Sequence, residues 1–202
     1  MLLCDVGNTS YHFLDGSRDY KESADSFDPA TITKQVYFIS VNSRVTQKLQ
    51  NLKNWIDLSA VIDKSIYYET MGIDRIVAVE STQNAVIVDG GSAITVDVVR
   101  NGVFEGGFIY PGINAMHKTY KSISPALEYP FNLELNVEKL PKDSQNAISY
   151  GFLKLLYSEV LSYGLPIILT GGDASQLKRL FKEAKVDKLL LFESMKKLII
   201  KL

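Results

Sequence analysis

The fold of this chain is decided by residues 1–9, MLLCDVGNT, together with a second segment of the same design, residues 85–92, AVIVDGGS. In each, an apolar run typical of a buried strand leads into a carboxylate, a glycine and a hydroxyl, and another strand-like run comes after them. Such a turn can face its backbone N–H groups to a phosphate, while the carboxylate faces a metal ion bound to that phosphate. Two of them in two halves of one chain suggest a nucleotide held between two similar lobes. The working hypothesis is a phosphotransferase.

Length, charge and cysteine content exclude several other classes of protein. The 202 residues allow one large domain or two small ones, and the net charge of −1 indicates neither a nucleic acid nor an anionic membrane as partner. Cys4 is the only cysteine, and two histidines are too few for a structural zinc site. No apolar run can span a bilayer, and the N-terminus lacks a signal-peptide pattern. We expect a soluble, cytoplasmic protein.

Strand-like and helix-like runs alternate along the whole chain, which predicts an α/β fold. Hairpin signals occur at residues 15–16, Asp-Gly, and at residues 101–102, Asn-Gly. The order of the elements predicts two similar lobes with mixed β-sheets flanked by helices, an N-terminal lobe over 1–75 and a C-terminal lobe over 76–202. Further local predictions are a bulge or ligand contact at Gly106-Gly107, a helix from Pro111, a helix over 174–184 capped by Asp173, a strand over 189–192 before a terminal helix, and a short strand near 59–62.

Residues 72–75, Gly-Ile-Asp-Arg, open a helix that is apolar on most sides and should therefore be buried. Asp74 should stay ionised there, because the helix dipole favours negative charge at a helix N-terminus. Phosphoryl transfer asks little of its base, so an aspartate suffices. Arg75 could bind a substrate carboxylate with two hydrogen bonds. The structural alternative is an N-cap aspartate paired with an arginine.

The other motifs also allow structural explanations. The first acidic turn, residues 5–9, and the second acidic turn, residues 89–92, could be plain hairpins. Residues 106–112 could relieve strain between a strand and a helix. Residues 170–174, Thr-Gly-Gly-Asp-Ala, could meet an anion or nucleotide at a helix N-terminus, or could simply cap that helix. No P-loop pattern occurs in the chain.

Taken in order, these motifs resemble type III pantothenate kinases, bacterial enzymes of the acetate and sugar kinase/Hsc70/actin superfamily. The matching patterns are Asp-x-Gly-Asn-Thr, Gly-x-Asp-Arg, Asp-x-Gly-Thr/Ser, Gly-Gly-x-Ile-x-Pro-Gly and Thr-Gly-Gly-Asp-Ala, and they extend from residue 2 to about residue 174. The family phosphorylates the terminal hydroxyl of pantothenate with ATP, in the first step of coenzyme A biosynthesis. The resemblance implies a ribonuclease H-like, actin-like ATPase fold.

The resemblance also implies a role for particular residues. ATP phosphates would be bound by Asp5, Val6, Gly7, Asn8, Thr9, Ser10, Tyr11, His12 and Ser92, with Asp5 near Mg²⁺. Pantothenate would be bound by Tyr68, Gly72, Ile73, Asp74 and Arg75, with Asp74 as proton acceptor. Asp89 would ligate a monovalent cation, K⁺ or NH₄⁺. Ser144 matches a family threonine that reaches pantothenate across the interface of a homodimer.

The chain departs from the family pattern at a few positions. Residues 10–12, Ser-Tyr-His, stand where the family usually has a lysine or arginine, which weakens the charge clamp expected on the γ-phosphate and leaves open whether His12 replaces the basic residue in function. Ser92 and Ser144 replace threonines and keep the hydroxyl. Tyr67 and Tyr68 are both candidates for the family's substrate tyrosine, and Tyr68 is preferred.

Three other functions compete with the pantothenate kinase. One is a kinase of the same superfamily that acts on a sugar or another small alcohol, which an acceptor screen would separate. Another is a regulatory homologue that binds ATP without transferring phosphate, although such a protein has no need of Asp74. The third is a structural dimerisation module, and glycines at the phosphate turns speak against it because glycine costs stability where no ligand needs access.

Overall fold

The computed structural model describes residues 1–202 and divides into two compact units. The first unit consists of Met1–Ser81 and Leu189–Leu202, and the second of Thr82–Lys188. None of the helices combines the length and the apolar character that crossing a membrane requires.

The first unit is built on a five-stranded mixed sheet. Its strands are β1 (Leu2–Val6), β2 (Ser10–Asp15), β3 (Arg18–Ser23), β4 (Val36–Ser40) and β5 (Trp55–Asp57), and its helices are α1 (Ser43–Leu49), α2 (Ile73–Glu80) and α6 (Leu190–Ile199). The strand order is β3-β2-β1-β4-β5. β1 is antiparallel to β2 and parallel to β4, and β4 is parallel to β5.

One face of this sheet carries an aromatic core. Alternate residues of β1, namely Leu2, Cys4 and Val6, are buried there. Tyr11, Phe13, Phe38 and Trp55 pack against them from the neighbouring strands. The alternation of side chains along a strand explains why Asp5, between Cys4 and Val6, belongs to the opposite face.

The second unit has a sheet of the same size. Its strands are β6 (Ala85–Gly90), β7 (Ala93–Arg100), β8 (Val103–Pro111), β9 (Ile167–Thr170) and β10 (Lys185–Val186), and its helices are α3 (Ile113–Ile123), α4 (Ser144–Ser162) and α5 (Ala174–Leu180). The strand order is β10-β9-β6-β7-β8. β6 is antiparallel to β7 and parallel to β9, and its buried valines pack with Phe152 and Leu156 of α4.

The two sheets therefore share one topology, with β6 to β10 in the places of β1 to β5. The predicted pair of similar lobes with mixed sheets and flanking helices is confirmed. The units differ most between their third and fourth strands. That connection covers residues 24–35 in the first unit, whereas in the second it covers 112–166 and contains α3 and α4.

The predicted strand over residues 189–192 is wrong, because this segment begins helix α6. A short apolar run fits a buried strand and a buried helix equally well. Its buried positions, Leu190, Met195 and Leu198 among them, continue at helical spacing and pack on α2 and β1. These contacts group residues 189–202 with the first unit, while the sequence assigned them to a lobe over 76–202. The lobe boundary at residue 75 stays a prediction.

Smaller differences concern turn chemistry. Residues 58–61 form a 3₁₀ turn rather than a strand, because the Asp57 side chain accepts a hydrogen bond from the Ser59 N–H at 2.8 Å. Pro111 ends β8, and α3 begins two residues later. The Asn101-Gly102 hairpin is confirmed, with φ of 55° and 75° at the two residues. The predicted bulge is confirmed as well, since the β7–β8 register shifts beside Gly106.

Candidate active site

The first acidic turn connects β1 to β2. Asp5 is the penultimate residue of β1 and is half-buried. The Gly7 N–H donates to the Ser10 carbonyl at 2.9 Å, and Asn8 and Thr9 are exposed at the tip. A Cβ on Gly7 would only touch the Ser10 oxygen at 3.6 Å, and Gly7 has no positive φ. The fold itself therefore does not require glycine at this position, whereas a ligand approaching the backbone would.

The flanking residues of this turn face different surroundings. Val6 and Tyr11 are buried in the core, so only their backbone can contact a ligand. His12 is paired with Asp5 in the β1–β2 ladder and lies on the same face of the sheet. Its Nε2 is 2.6 Å from an Asp19 carboxylate oxygen, and its ring packs edge-on against Phe192 at 4.8 Å. The imidazole at the position of the family's basic residue is thus already held by protein contacts.

Asp74 lies in the first turn of α2, and its carboxylate folds back over the helix N-terminus. Its Oδ1 accepts a hydrogen bond from the Arg75 N–H at 2.8 Å, and a Cβ on Gly72 would lie 2.5 Å from that oxygen. Burial raises the pKa of Asp74, against the opposing effects of the Arg75 N–H and the Arg75 charge. The carboxylate is therefore a stronger base than its place at a helix N-terminus alone predicted.

Arg75 is buried, with 6% of its surface exposed, and points to Tyr68. Its Nη1 donates to the Tyr68 hydroxyl, and the guanidinium carbon lies 5.8 Å from the centroid of the Tyr68 ring. Tyr67 instead donates to Glu80 at the other end of α2. The structure thus brings Tyr68 to the arginine.

The first acidic turn and Asp74 lie at the same end of the first sheet. Val41, which directly follows β4, donates its N–H to the Val6 carbonyl at 3.0 Å. A Cβ on Gly72 would lie 3.7 Å from Cγ1 of that valine. Helix α2 therefore begins beside the carboxyl ends of the parallel strands β1 and β4, where ligands bind in open α/β sheets.

The second acidic turn has the same local construction in the second unit. Asp89 is the penultimate residue of β6 and is half-buried. The Gly91 N–H donates to the Ala93 carbonyl at 2.9 Å, and Ser92 is exposed at the tip. The equivalent strands of the two units therefore both carry an aspartate as their penultimate residue, and a hairpin follows each.

Two distant segments pack onto the second acidic turn. Gly171 has a φ of 80°, and a Cβ there would overlap the Asp89 carboxylate and the Gly90 carbonyl. A Cβ on Gly112 would overlap the carbonyl oxygens of Gly91 and Ser92. The motifs at 106–112 and 170–174 therefore meet the second acidic turn, and glycine makes the close approach of the backbones possible.

Asp173 is the N-cap residue of α5, as predicted, but it does not cap the helix through its side chain. That side chain makes no capping hydrogen bond, and the helix ends at Leu180 rather than at residue 184. The backbone N–H of Asp173 donates to the Gly90 carbonyl at 2.9 Å instead. The segment serves to join α5 to the second acidic turn.

A sequence model of the type III pantothenate kinase family matches residues 27–163. A type III pantothenate kinase from Sulfurimonas denitrificans is 58% identical over 199 residues, which cover 98% of this chain and 97% of that protein. This chain belongs to the type III pantothenate kinase family. A member from Campylobacter jejuni is 38% identical over 98% of this chain and 96% of its own length.

Two solved structures have a similar fold. A crystal structure from Campylobacter jejuni, described as a Baf family transcriptional activator, has a TM-score of 0.90 and 37% identity, covering 100% of this chain and 98% of its own. A Sinorhizobium meliloti protein described as a 2-dehydro-3-deoxygalactonokinase has a TM-score of 0.58 at 8% identity, covering 100% of this chain and 96% of its own, which shows the fold alone. The predicted ribonuclease H-like, actin-like fold is confirmed.

The sequence analysis did not identify the side chains with oxygen atoms that lie beside Asp89. Asp89 pairs with Thr95 in β7 and with Thr170 in β9, so the three side chains share one face of the sheet. Asp97 lies on the same face and is 1% exposed. Threonine is common in strands, so Thr95 and Thr170 give no hint of a site. A single aspartate inside the apolar run ITVDVV, however, could have indicated a polar site, because a buried charge is costly without a partner. No group of three or more histidine, cysteine or carboxylate side chains could hold a metal ion, so a cation here would also need hydroxyl or carbonyl oxygens.

Ser144, the residue that matches the family threonine, is the first residue of α4 and is exposed. The neighbouring Asp143 caps the helix by accepting a hydrogen bond from the Asn146 N–H at 2.9 Å. Hydrogen bonds from Asn146 lower the pKa of Asp143 and keep this cap ionised. The Ser144 hydroxyl is therefore not needed as the cap of its own helix.

Proposed function

We propose that this chain transfers the γ-phosphoryl group of ATP to the terminal hydroxyl of pantothenate. The observation that carries the proposal is the Asp74 carboxylate, folded over the N-terminus of α2 with a pKa raised by burial, at the same end of the sheet as the first acidic turn. Membership in the type III pantothenate kinase family supports the same reaction.

In this proposal the first acidic turn binds the phosphates of ATP. Asn8 and Thr9 are exposed at its tip, and the missing side chain of Gly7 leaves the backbone open to a ligand. Asp5 would hold Mg²⁺ directly or through water, and the ion would neutralise charge on the phosphates. Ser92 of the second acidic turn would donate its hydroxyl to ATP.

Asp74 orients the hydroxyl of pantothenate and accepts its proton. The bond between that oxygen and the γ-phosphorus forms as the bond between the γ-phosphorus and the β,γ-bridging oxygen breaks, and ADP leaves. Arg75 binds the carboxylate of pantothenate, with its guanidinium oriented by the Tyr68 hydroxyl. Gly72 and Ile73 place both side chains at the start of α2.

The monovalent cation, K⁺ or NH₄⁺, is proposed to bind at Asp89. The carboxylate shares its face of the sheet with the hydroxyls of Thr95 and Thr170, and hard cations prefer oxygen ligands. The homodimer is proposed from Ser144, an exposed hydroxyl at the N-terminus of α4 that is not used as the cap. In a homodimer it would contact the pantothenate bound by the partner subunit.

A coupled ADP-release assay tests the reaction. We expect ADP release that requires pantothenate and falls strongly when K⁺ and NH₄⁺ are omitted. Release with a sugar or another small alcohol, and none with pantothenate, would instead assign the chain to a different kinase of the superfamily. Absence of pantothenate-dependent release at any cation concentration rejects the proposal.

A regulatory function is the second candidate, because the similar Campylobacter jejuni structure is described as a transcriptional activator. It predicts ATP binding without ADP release for every acceptor. The presence of Asp5, Asp74 and Asp89 favours catalysis, since a protein that only binds ATP has no need of a base for the acceptor hydroxyl.

A further inference from the structure

The segment between β5 and α2 crosses the surface of the first unit with little of its own surface buried. Every residue from Asp63 to Thr70 is exposed except Tyr67, which is half-buried. The flanking residues Ile62 and Met71 are buried. Tyr67 is therefore the side chain between residues 63 and 70 that is best placed to hold this segment against the first unit.

Tyr67 is anchored at the far end of α2. Its hydroxyl donates to Oε1 of Glu80 at 3.0 Å, and the other carboxylate oxygen of Glu80 lies 3.5 Å from the Lys201 ammonium. Burial raises the pKa of Tyr67, and the hydrogen bond to Glu80 raises it further, so the phenol stays protonated and able to donate.

The next residue points the other way. Tyr67 has an extended backbone, with φ −116° and ψ 159°, and successive side chains of an extended chain face opposite sides. Tyr68 accordingly meets Arg75 at the start of α2, while Tyr67 meets Glu80 at its end. Fixing one tyrosine therefore fixes the direction of the other.

We propose that Tyr67, through its hydrogen bond to Glu80, is a positioning residue that holds Tyr68 against Arg75 and so sets the affinity for the acid substrate. The inference rests on the proposed function, in which Arg75 binds the carboxylate of pantothenate. It assigns the two adjacent tyrosines different roles, Tyr67 as the anchor and Tyr68 as the residue that meets the substrate site.

The test compares Tyr67→Phe with the parent protein in the ADP-release assay. We expect the KM for pantothenate to rise on the order of 10-fold, the effect of losing one hydrogen bond to a charged group. The KM for ATP and kcat should stay near the parental values, because Asp74 and the first acidic turn are held by other contacts. A parental KM for pantothenate overturns the proposal, and so does a fall in kcat alone.

Variants of the partner separate positioning from a general loss of structure. Glu80→Gln keeps an oxygen that can accept from Tyr67 and should retain the parental KM, whereas Glu80→Met should match Tyr67→Phe. The double variant Tyr67→Phe/Glu80→Met should be no worse than either single change. Lys201→Met is the control, since it removes the ion pair with Glu80 and leaves the Tyr67 hydrogen bond.

Hydrogen exchange tests the anchor without any turnover. In Tyr67→Phe, the amides of residues 63–72 should exchange faster than in the parent, while those of β1 should not change. Equal exchange in both proteins overturns the anchor. A parent that releases no ADP with pantothenate rejects the proposed function instead, so the two failures can be told apart.

Discussion

The first and second acidic turns occupy equivalent places in two sheets of equal topology, yet their surroundings differ. The first turn is held to neighbouring segments by ordinary hydrogen bonds. Asn42 Nδ2 donates to the Asn8 carbonyl at 3.4 Å, and the Ala24 N–H donates to the Thr9 carbonyl at 3.0 Å. Around the second, the backbones of Gly112 and Gly171 approach so closely that no side chain fits between.

The units also differ in the helices that their strand connections carry. After β5, the first unit places the carboxylate of Asp74 and the buried Arg75 at the start of α2. The second unit instead expands the connection between its third and fourth strands into α3 and α4. The two units thus share one sheet topology but differ in function, with the proposed acceptor chemistry at the start of a helix in one unit and the proposed cation site at the end of a strand in the other.

The largest expected effect concerns the acceptor chemistry of the first unit. Asp74→Asn should lower kcat by about 10²–10⁴-fold, the usual contribution of general base catalysis, and should leave ATP affinity near the parental value. The ADP-release assay and nucleotide binding by calorimetry measure the two quantities. Parental turnover would show that Asp74 is not the base.

Asp89→Asn is the matching change in the second unit. It should raise the K⁺ concentration needed for half-maximal activity, and turnover at saturating K⁺ should fall less than in Asp74→Asn. If the two variants had indistinguishable kinetics, the division of roles between the units would be incorrect.

The next effect is on stability and belongs to the second unit. Gly171→Ala combines a positive φ with overlap against Asp89 and Gly90, and should cost on the order of 3 kcal/mol of unfolding free energy. Urea unfolding measures this loss. The control is Gly164→Ala, where φ is 63° and nothing lies within 4 Å of the new Cβ, so only about 1 kcal/mol of backbone strain is expected. If both variants lost the same unfolding free energy, overlap of the new methyl group with Asp89 and Gly90 would not contribute to the destabilisation of Gly171→Ala.

Gly7→Ala should give the opposite result in the first unit. Its backbone tolerates a side chain, so unfolding free energy should stay equal or rise by about 0.4–1 kcal/mol. The KM for ATP should nevertheless rise by roughly 10-fold, because the methyl group would occupy space next to the phosphates. A loss of stability with unchanged ATP kinetics would assign Gly7 to the fold.

The smallest expected effect is a pH dependence of stability at Asp74. Burial raises the pKa of Asp74 in the folded state. The folded protein therefore has its full stability when Asp74 is protonated, below the ordinary aspartate pKa of about 4, and loses part of it as the pH rises through the raised pKa. Asparagine stays neutral throughout. Asp74→Asn should therefore gain in melting temperature relative to the parent between about pH 4 and pH 7. A difference that stays constant with pH would show that the carboxylate is not destabilised by burial.

Much of the molecule could be predicted from local patterns. The hairpin at Asn101-Gly102, the bulge beside Gly106, the helix from Ile73 and both acidic turns depend on residues close in sequence, through turn chemistry and side-chain periodicity. The prediction of a strand over 189–192 was wrong because a short apolar run fits a strand and a helix equally well. Packing on α2 and β1 selects the helix, and the local pattern does not contain that information.

Local sequence patterns are enough to predict most of the strands and helices and to place Asp5 and Asp89 next to the last residues of β1 and β6, because a carboxylate and a glycine after an apolar run specify a strand and its turn locally. The folded chain alone shows that residues 106–112 and 170–174 pack on the second acidic turn, that Thr95 and Thr170 flank Asp89, and that Tyr67 and Tyr68 face opposite ends of α2. These relations join residues far apart in the chain through strand register and close backbone contact, which no local pattern encodes.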